Sequence, residues 1–195
     1  MNLAVFASTN GTDLQAIIDE MKSGTMPGVD LKFVLVDVEN CGAAEKARKA
    51  GIPVVFLNPK NVEGGKIDRE TYDRQLAAVC HSHEIELIAL VGWMRILSPW
   101  FVHEFPKKII NIHPSLLPKY PGMDLNVHQA VLDHGEKESG MTIHYVDEGT
   151  DTGEIILQKT VPIEEGETVE SLKRKVQELE MAWYPKVILS LLREH

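Results

Sequence analysis

Short apolar runs alternate along the chain with segments whose apolar residues recur every three or four positions. The runs at 2–7, 31–37, 53–57 and 86–91 read as strands buried on both faces, because such strands need no polar alternation. Between them, Leu14, Ile17, Ile18 and Met21 fall at helical spacing, and so do Leu76, Val79 and Cys80. The first helix is expected to start near residue 13, with Thr12 or Asp13 as its cap. Ala43 to Ala50 form a short helix stopped by Gly51. Asp68 caps another that reaches about His83, and Ser98-Pro99 opens a short one. Strand and helix alternating in short units predict a doubly wound, mostly parallel α/β sheet with helices on both faces.

The second half changes pattern. Ile109-Ile110-Asn111-Ile112-His113 is an apolar run that ends at Pro114, which has no N–H for a central ladder. Asn111 and His113 are two apart, so they point the same way. A proline-bearing loop follows over 113–124, then a short helix from Asn126 to Leu132. The runs 140–146 and 154–158 flank a turn and predict a hairpin, so the sheet ends antiparallel. Thr142 and His144 share a face of the first run. Thr168 caps a long helix from Val169 to about Glu194, which Tyr184-Pro185 kinks or breaks.

Composition narrows the function. The 195 residues suggest one domain. A net charge of −9 without a long basic run disfavours nucleic-acid partners. Two cysteines, Cys41 and Cys80, give neither a disulfide framework nor a zinc motif. The N-terminus has no signal-peptide pattern, and no run is long enough to span a bilayer. A cytoplasmic protein, monomer or homodimer, is expected.

The chemistry-bearing residues gather at strand ends. The loop 8–13, between a strand and a helix N-terminus, is a candidate anion site, although an ordinary capped turn has the same pattern. Met94 to Leu97 follow the fourth strand, Asn111 and His113 end the fifth, and Asp151 lies in the hairpin turn. Beside these, only Ser115 is a candidate nucleophile. An amide, an imidazole and a carboxylate suggest proton transfer with stabilisation of an oxyanion. Spacing alone does not say which reaction. His81-x-His83 resembles a metal pair, but residues two apart on a helix do not face each other.

The string Asn111-Ile-His-Pro-Ser-Leu-Leu-Pro-Lys-Tyr-Pro-Gly122 resembles the signature of folate-dependent formyltransferases. Asn10-Gly11-Thr12, Arg69-Glu70-x-Tyr72-Asp73, Gly92-x-Met94-Arg95-Ile96-Leu97-Ser98, Thr142-x-His144-x-Val146 and Gln177-x-x-Glu180 are similar to segments of the branch that formylates glycinamide ribonucleotide. The resemblance spans almost the whole chain and implies a Rossmann-like fold, with 1–110 as a nucleotide- and phosphate-binding half and 111–195 as a catalytic and folate-binding half. It also implies two small-molecule substrates, glycinamide ribonucleotide and 10-formyltetrahydrofolate as cosubstrate, with no metal. Asn111, His113 and Asp151 would be catalytic. Gly11, Thr12 and Asp13 would hold the ribose phosphate, with Gln177 and Glu180 on the nucleotide side. Arg69 would meet the folate tail, and Met94, Arg95, Ile96, Leu97, Val146, Asp147 and Glu148, with Asn111, would grip the pterin.

The chain departs from that pattern where Thr9 replaces a glycine and Asp13 an asparagine, and again over 123–127. The rival readings are a formyltetrahydrofolate deformylase, a methionyl-tRNA formyltransferase and a non-catalytic folate- or nucleotide-binding protein. The last two lack support: the chain carries no sign of an added tRNA-holding domain, and binding alone does not need that trio.

Overall fold

A computed structural model of the chain describes residues 1–60, 65–122 and 126–192. Met123, Asp124 and Leu125 of the divergent segment lie outside the described residues, as does the expected end of the last helix at Glu194. The strands are β1 (Asn2–Ala7), β2 (Asp30–Val36), β3 (Val54–Phe56), β4 (Leu87–Val91), β5 (Ile109–His113), β6 (Glu138–Tyr145) and β7 (Ile155–Pro162). The helices are α1 (Thr12–Lys22), α2 (Gly42–Lys49), α3 (Arg69–Ser82), α4 (Pro99–Glu104), α5 (Val127–Asp133) and α6 (Val169–Leu191).

One seven-stranded sheet runs β3-β2-β1-β4-β5-β6-β7. The pairs from β3 through β5 are parallel, and β6 and β7 are antiparallel. The apolar runs are explained by burial on both faces. Leu3, Val5 and Ala7 pack with α1, α2 and α6, while Ala4 and Phe6 pack with α3 and α4. Burying each large apolar side chain in these layers contributes about 1.5–3 kcal/mol. The chain order reverses between β1 and β4, and the crevice beyond their C-terminal ends is where such sheets take ligands. Two backbone-level contacts join the crevice walls: Ser8 N–H donates to Gly92 C=O at 3.2 Å, and Met94 N–H to Ser8 Oγ at 3.0 Å.

Three local expectations are corrected. Neither Thr12 nor Asp13 caps α1. The cap is Gly11, at φ +67°, and a Cβ there would lie 2.8 Å from that of Ala43. Close approach of α2 therefore dictates the turn. Second, α6 is not broken at Pro185: Tyr184 and Pro185 are both buried, and packing outweighs the backbone bond that Pro185 cannot make. Third, the hairpin strands extend beyond 140–146 and 154–158, because Glu138 to Gly140 find partners in Thr160 to Pro162 on the edge strand.

The expected caps Asp68, Ser98 and Thr168 each accept a hydrogen bond from the third residue after them. His81 and His83 are engaged separately, His81 with Glu104 at 2.9 Å and His83 with Val79 C=O at 3.0 Å. No helix among the described residues is long and apolar enough to cross a membrane.

Candidate active site

The end of β5 brings the predicted polar groups together. Antiparallel pairing sets Asn111 opposite His144, and His113 opposite Thr142. Asn111 Nδ2 lies 3.2 Å from His144 Nε2, and His144 Nδ1 lies 2.8 Å from Tyr145 C=O. A carbonyl only accepts, so Nδ1 carries a proton, while Nε2 faces both the Asn111 amide and, at 3.4 Å, the Asp151 carboxylate. The same logic places a proton on His113 Nε2, which lies 2.7 Å from Tyr120 C=O. His113 Nδ1 faces Asp151 Oδ2 at 3.4 Å, so the doubly protonated ring satisfies both neighbours.

Asp151 comes from the turn after β6 and adopts a left-handed backbone, φ +55°. Its Oδ2 accepts from Gly122 N–H at 2.7 Å, and its Oδ1 lies 3.4 Å from both His144 Nε2 and Asn111 Nδ2. Burial pushes this carboxyl up. The hydrogen bonds from His144 and Gly122, with the charges of His113 and His144, outweigh it and hold the pKa down at about 2. Ser115 is not a free nucleophile: its hydroxyl is buried and donates to Lys119 C=O at 2.6 Å. It pins the loop that carries Tyr120.

Two cavities meet here. The smaller, about 80 Å³, is lined by Leu90, Arg95 to Leu97, His144, Val146, Asp147, Gly149 and Thr150. The larger, about 280 Å³, runs from Thr9, Thr12 and Asp13 past His113 and His128 to Val169, Lys173, Gln177 and Glu180. Trp93, Asn111 and Asp151 line both. A reactant in one cavity and a reactant in the other would therefore face each other across the Asn111 amide.

The larger cavity is built around α1. Ala43 N–H donates to Thr9 C=O at 3.1 Å and Lys46 Nζ to Asn10 C=O at 2.5 Å, so α2 fixes the loop. Close approach also accounts for Gly92, where a Cβ would lie 2.3 Å from Thr9 Oγ1. The first N–H groups of α1 and its dipole favour an anion at this end. Asp13 opposes that. Burial pushes its pKa up to about 6, although its own backbone N–H offsets part of the rise. Glu180 is raised well above the ordinary range by burial and by Asp13, with Lys173 opposing. Burial, with Lys173 and His113, pushes His128 down to about 4. Asp13 Oδ1 and His128 Nδ1 are buried without a hydrogen-bond partner.

The remaining predicted residues divide. Thr12, Asp13, Gln177 and Glu180 line the larger cavity, and Gly11 shapes the turn behind it. Arg95, Ile96, Leu97, Val146 and Asp147 line the smaller one, with the Arg95 guanidinium 4.5 Å above the Tyr72 ring. Met94 lines the larger cavity instead. Arg69 is exposed and lines neither, and Glu148 turns away to pair with His103 at 2.7 Å. Sequence reasoning gave no role to His144, His128, Trp93 or Lys173. His144 is signalled by hairpin register opposite Asn111, and Lys173 by lying one helical turn before Gln177.

Comparison with known proteins gives the constellation a family. Residues 1–188 match the family model described as formyl transferase. The chain is 40% identical over 189 residues to phosphoribosylglycinamide formyltransferase of Bacillus subtilis, covering 97% of this chain and 93% of that protein. It is 43% identical over 191 residues to the trifunctional purine biosynthetic protein adenosine-3 of Drosophila pseudoobscura pseudoobscura, covering 97% of this chain but only 14% of that longer protein. The crystal structure of phosphoribosylglycinamide formyltransferase from Bacillus halodurans superposes with a TM-score of 0.90 at 36% identity, covering 98% of this chain and 95% of that one. The sheet that ends in Asn111 and His113, and the sequence around it, thus belong to the formyl transferase family, in its phosphoribosylglycinamide formyltransferase branch.

Proposed function

We propose that the chain transfers the formyl group of 10-formyltetrahydrofolate to the primary amine of glycinamide ribonucleotide, a step of purine biosynthesis. The observation that carries this reading is the pair of cavities sharing Asn111 and Asp151. The nucleotide takes the larger cavity, its phosphate at the start of α1. The folate takes the smaller one, against Arg95 to Leu97 and Val146 to Asp147.

The amine nitrogen attacks the formyl carbon, and the carbonyl π pair moves onto oxygen. Asp151 Oδ1 accepts one hydrogen of the Asn111 amide and so orients it; the other is available to the developing oxyanion. The His113 imidazolium adds positive charge beside it. A proton leaves the amine through His113 and water held at the ionised Asp151 carboxylate, and as the oxyanion pair re-forms the carbonyl the carbon–N10 bond breaks, its pair staying on N10, which gains a proton. The products are the N-formylated nucleotide and tetrahydrofolate. Asp151, held ionised, fixes the orientation and charge of His113. The reading includes a cytoplasmic setting, supported by two free buried cysteines.

Purified protein is expected to convert 10-formyltetrahydrofolate to tetrahydrofolate only when glycinamide ribonucleotide is present. Equal conversion without that acceptor would instead identify a deformylase.

A further inference from the structure

The larger cavity has a charge problem. Asp13, Asp151 and Glu180 all line it, with Asp151 held ionised and the other two pushed up by burial. A phosphate monoester brings about −1.5 to −2 more charge. The α1 dipole offers only about half a positive charge against that. Among the described residues lining the cavity, Lys173 is the one lysine or arginine. Val169, Lys173, Gln177 and Glu180 lie four, four and three residues apart, so they form one stripe on α6 facing the cavity. Lys173 is exposed, near the start of that helix, on a long stem with free rotation at each bond. Its charge is felt by Glu180 on the same stripe, which it stabilises as a carboxylate, and by His128 on α5, whose cation it repels. His128 is nine-tenths buried on this cavity, and its Nδ1 has no hydrogen-bond partner among the described residues.

We propose that Lys173 is the phosphate-binding cation of this site, meeting the ribose phosphate of the acceptor from α6 while the start of α1 meets it from the other side. The proposal rests on the function proposed above. It assigns a specificity role: Lys173 selects an acceptor that carries a phosphate monoester and has no part in the chemical step. An ammonium suits this task because it is a compact point charge on a long stem, able to reach phosphate oxygens without a fixed fork geometry.

Initial rates of the full chain test it, with glycinamide ribonucleotide varied at saturating 10-formyltetrahydrofolate. Lys173→Met is expected to raise KM for the nucleotide at least about ten-fold, the worth of one charge-assisted hydrogen bond, and to leave kcat and the folate KM within about two-fold. Lys173→Arg is expected to recover most of the affinity. Lys49→Met, an equal charge change on the exposed end of α2, is expected to change nothing. Inorganic phosphate, measured by calorimetry, is expected to bind wild type more tightly than Lys173→Met. An unchanged nucleotide KM, or a loss confined to kcat, would overturn the proposal. If wild type shows no acceptor-dependent turnover, the proposed function fails, and the phosphate titration still decides Lys173.

Discussion

Asp151 Oδ2 stands 3.4 Å from His113 Nδ1, and the same oxygen accepts a 2.7 Å hydrogen bond from Gly122 N–H. One carboxylate thus orients the imidazole and ties the 147–153 turn to the loop after β5. Asp151→Asn keeps the shape and removes the charge. Turnover is expected to fall at least about 100-fold, with a folded protein by circular dichroism. The depressed pKa adds a stability term present above about pH 4 and lost as pH falls toward 2. The variant should lack that acid-side loss in urea titrations. Turnover close to wild type would remove Asp151 from the mechanism.

Asp13 works in the opposite direction. Its pKa is about 6 in the folded chain against an ordinary 3.8. The folded state therefore holds the proton longer, and stability falls as pH rises from about 4 to 6, then levels. Asp13→Asn is expected to stabilise the protein by about 1–3 kcal/mol at pH 7.5 and by little at pH 4. Chemical denaturation at the two pH values measures it. The same variant should bind the nucleotide at least as well as wild type, since one negative charge near the phosphate is gone.

Gly153 has no room for a side chain. A Cβ there would lie 1.8 Å from Tyr145 C=O, so Gly153→Ala must displace the turn that carries Asp151. Turnover is expected to drop at least about ten-fold, because a displacement of this size misplaces the proposed catalytic carboxylate. Steady-state kinetics with a thermal melt separates this from global unfolding.

Tyr184 is wholly buried, and its hydroxyl reaches Leu90 C=O at 3.0 Å and Ile110 C=O at 3.1 Å. Tyr184→Phe leaves the ring packing and removes the donor. It is expected to cost about 1–2 kcal/mol in denaturant titrations. A cost near zero would mean that the two carbonyls find all they need within the sheet.

Central strands and most helix starts were legible because their signals are local. A continuous apolar run means two covered faces, and Asp68, Ser98 and Thr168 act through residues three positions away. Gly11 was not legible as the cap of α1, because Ala43, about thirty residues on in the chain, imposes its backbone. Asn111 and His113 could be placed on one face by counting. That His144 completes the group depends on hairpin register, which a one-residue slip would reverse. Arg69 and Glu148 show the opposite limit: a long exposed side chain takes its direction from neighbours such as His103 that no local pattern names.

Trp93, Asn111 and Asp151 form a partition rather than a wall of one chamber. A ligand in either cavity meets the same three side chains. If binding of the folate changes nucleotide affinity by some factor, the nucleotide must change folate affinity by that factor too. Any such coupling acts before a bond is made, and the order in which two ligands arrive cannot alter the strength of the final complex.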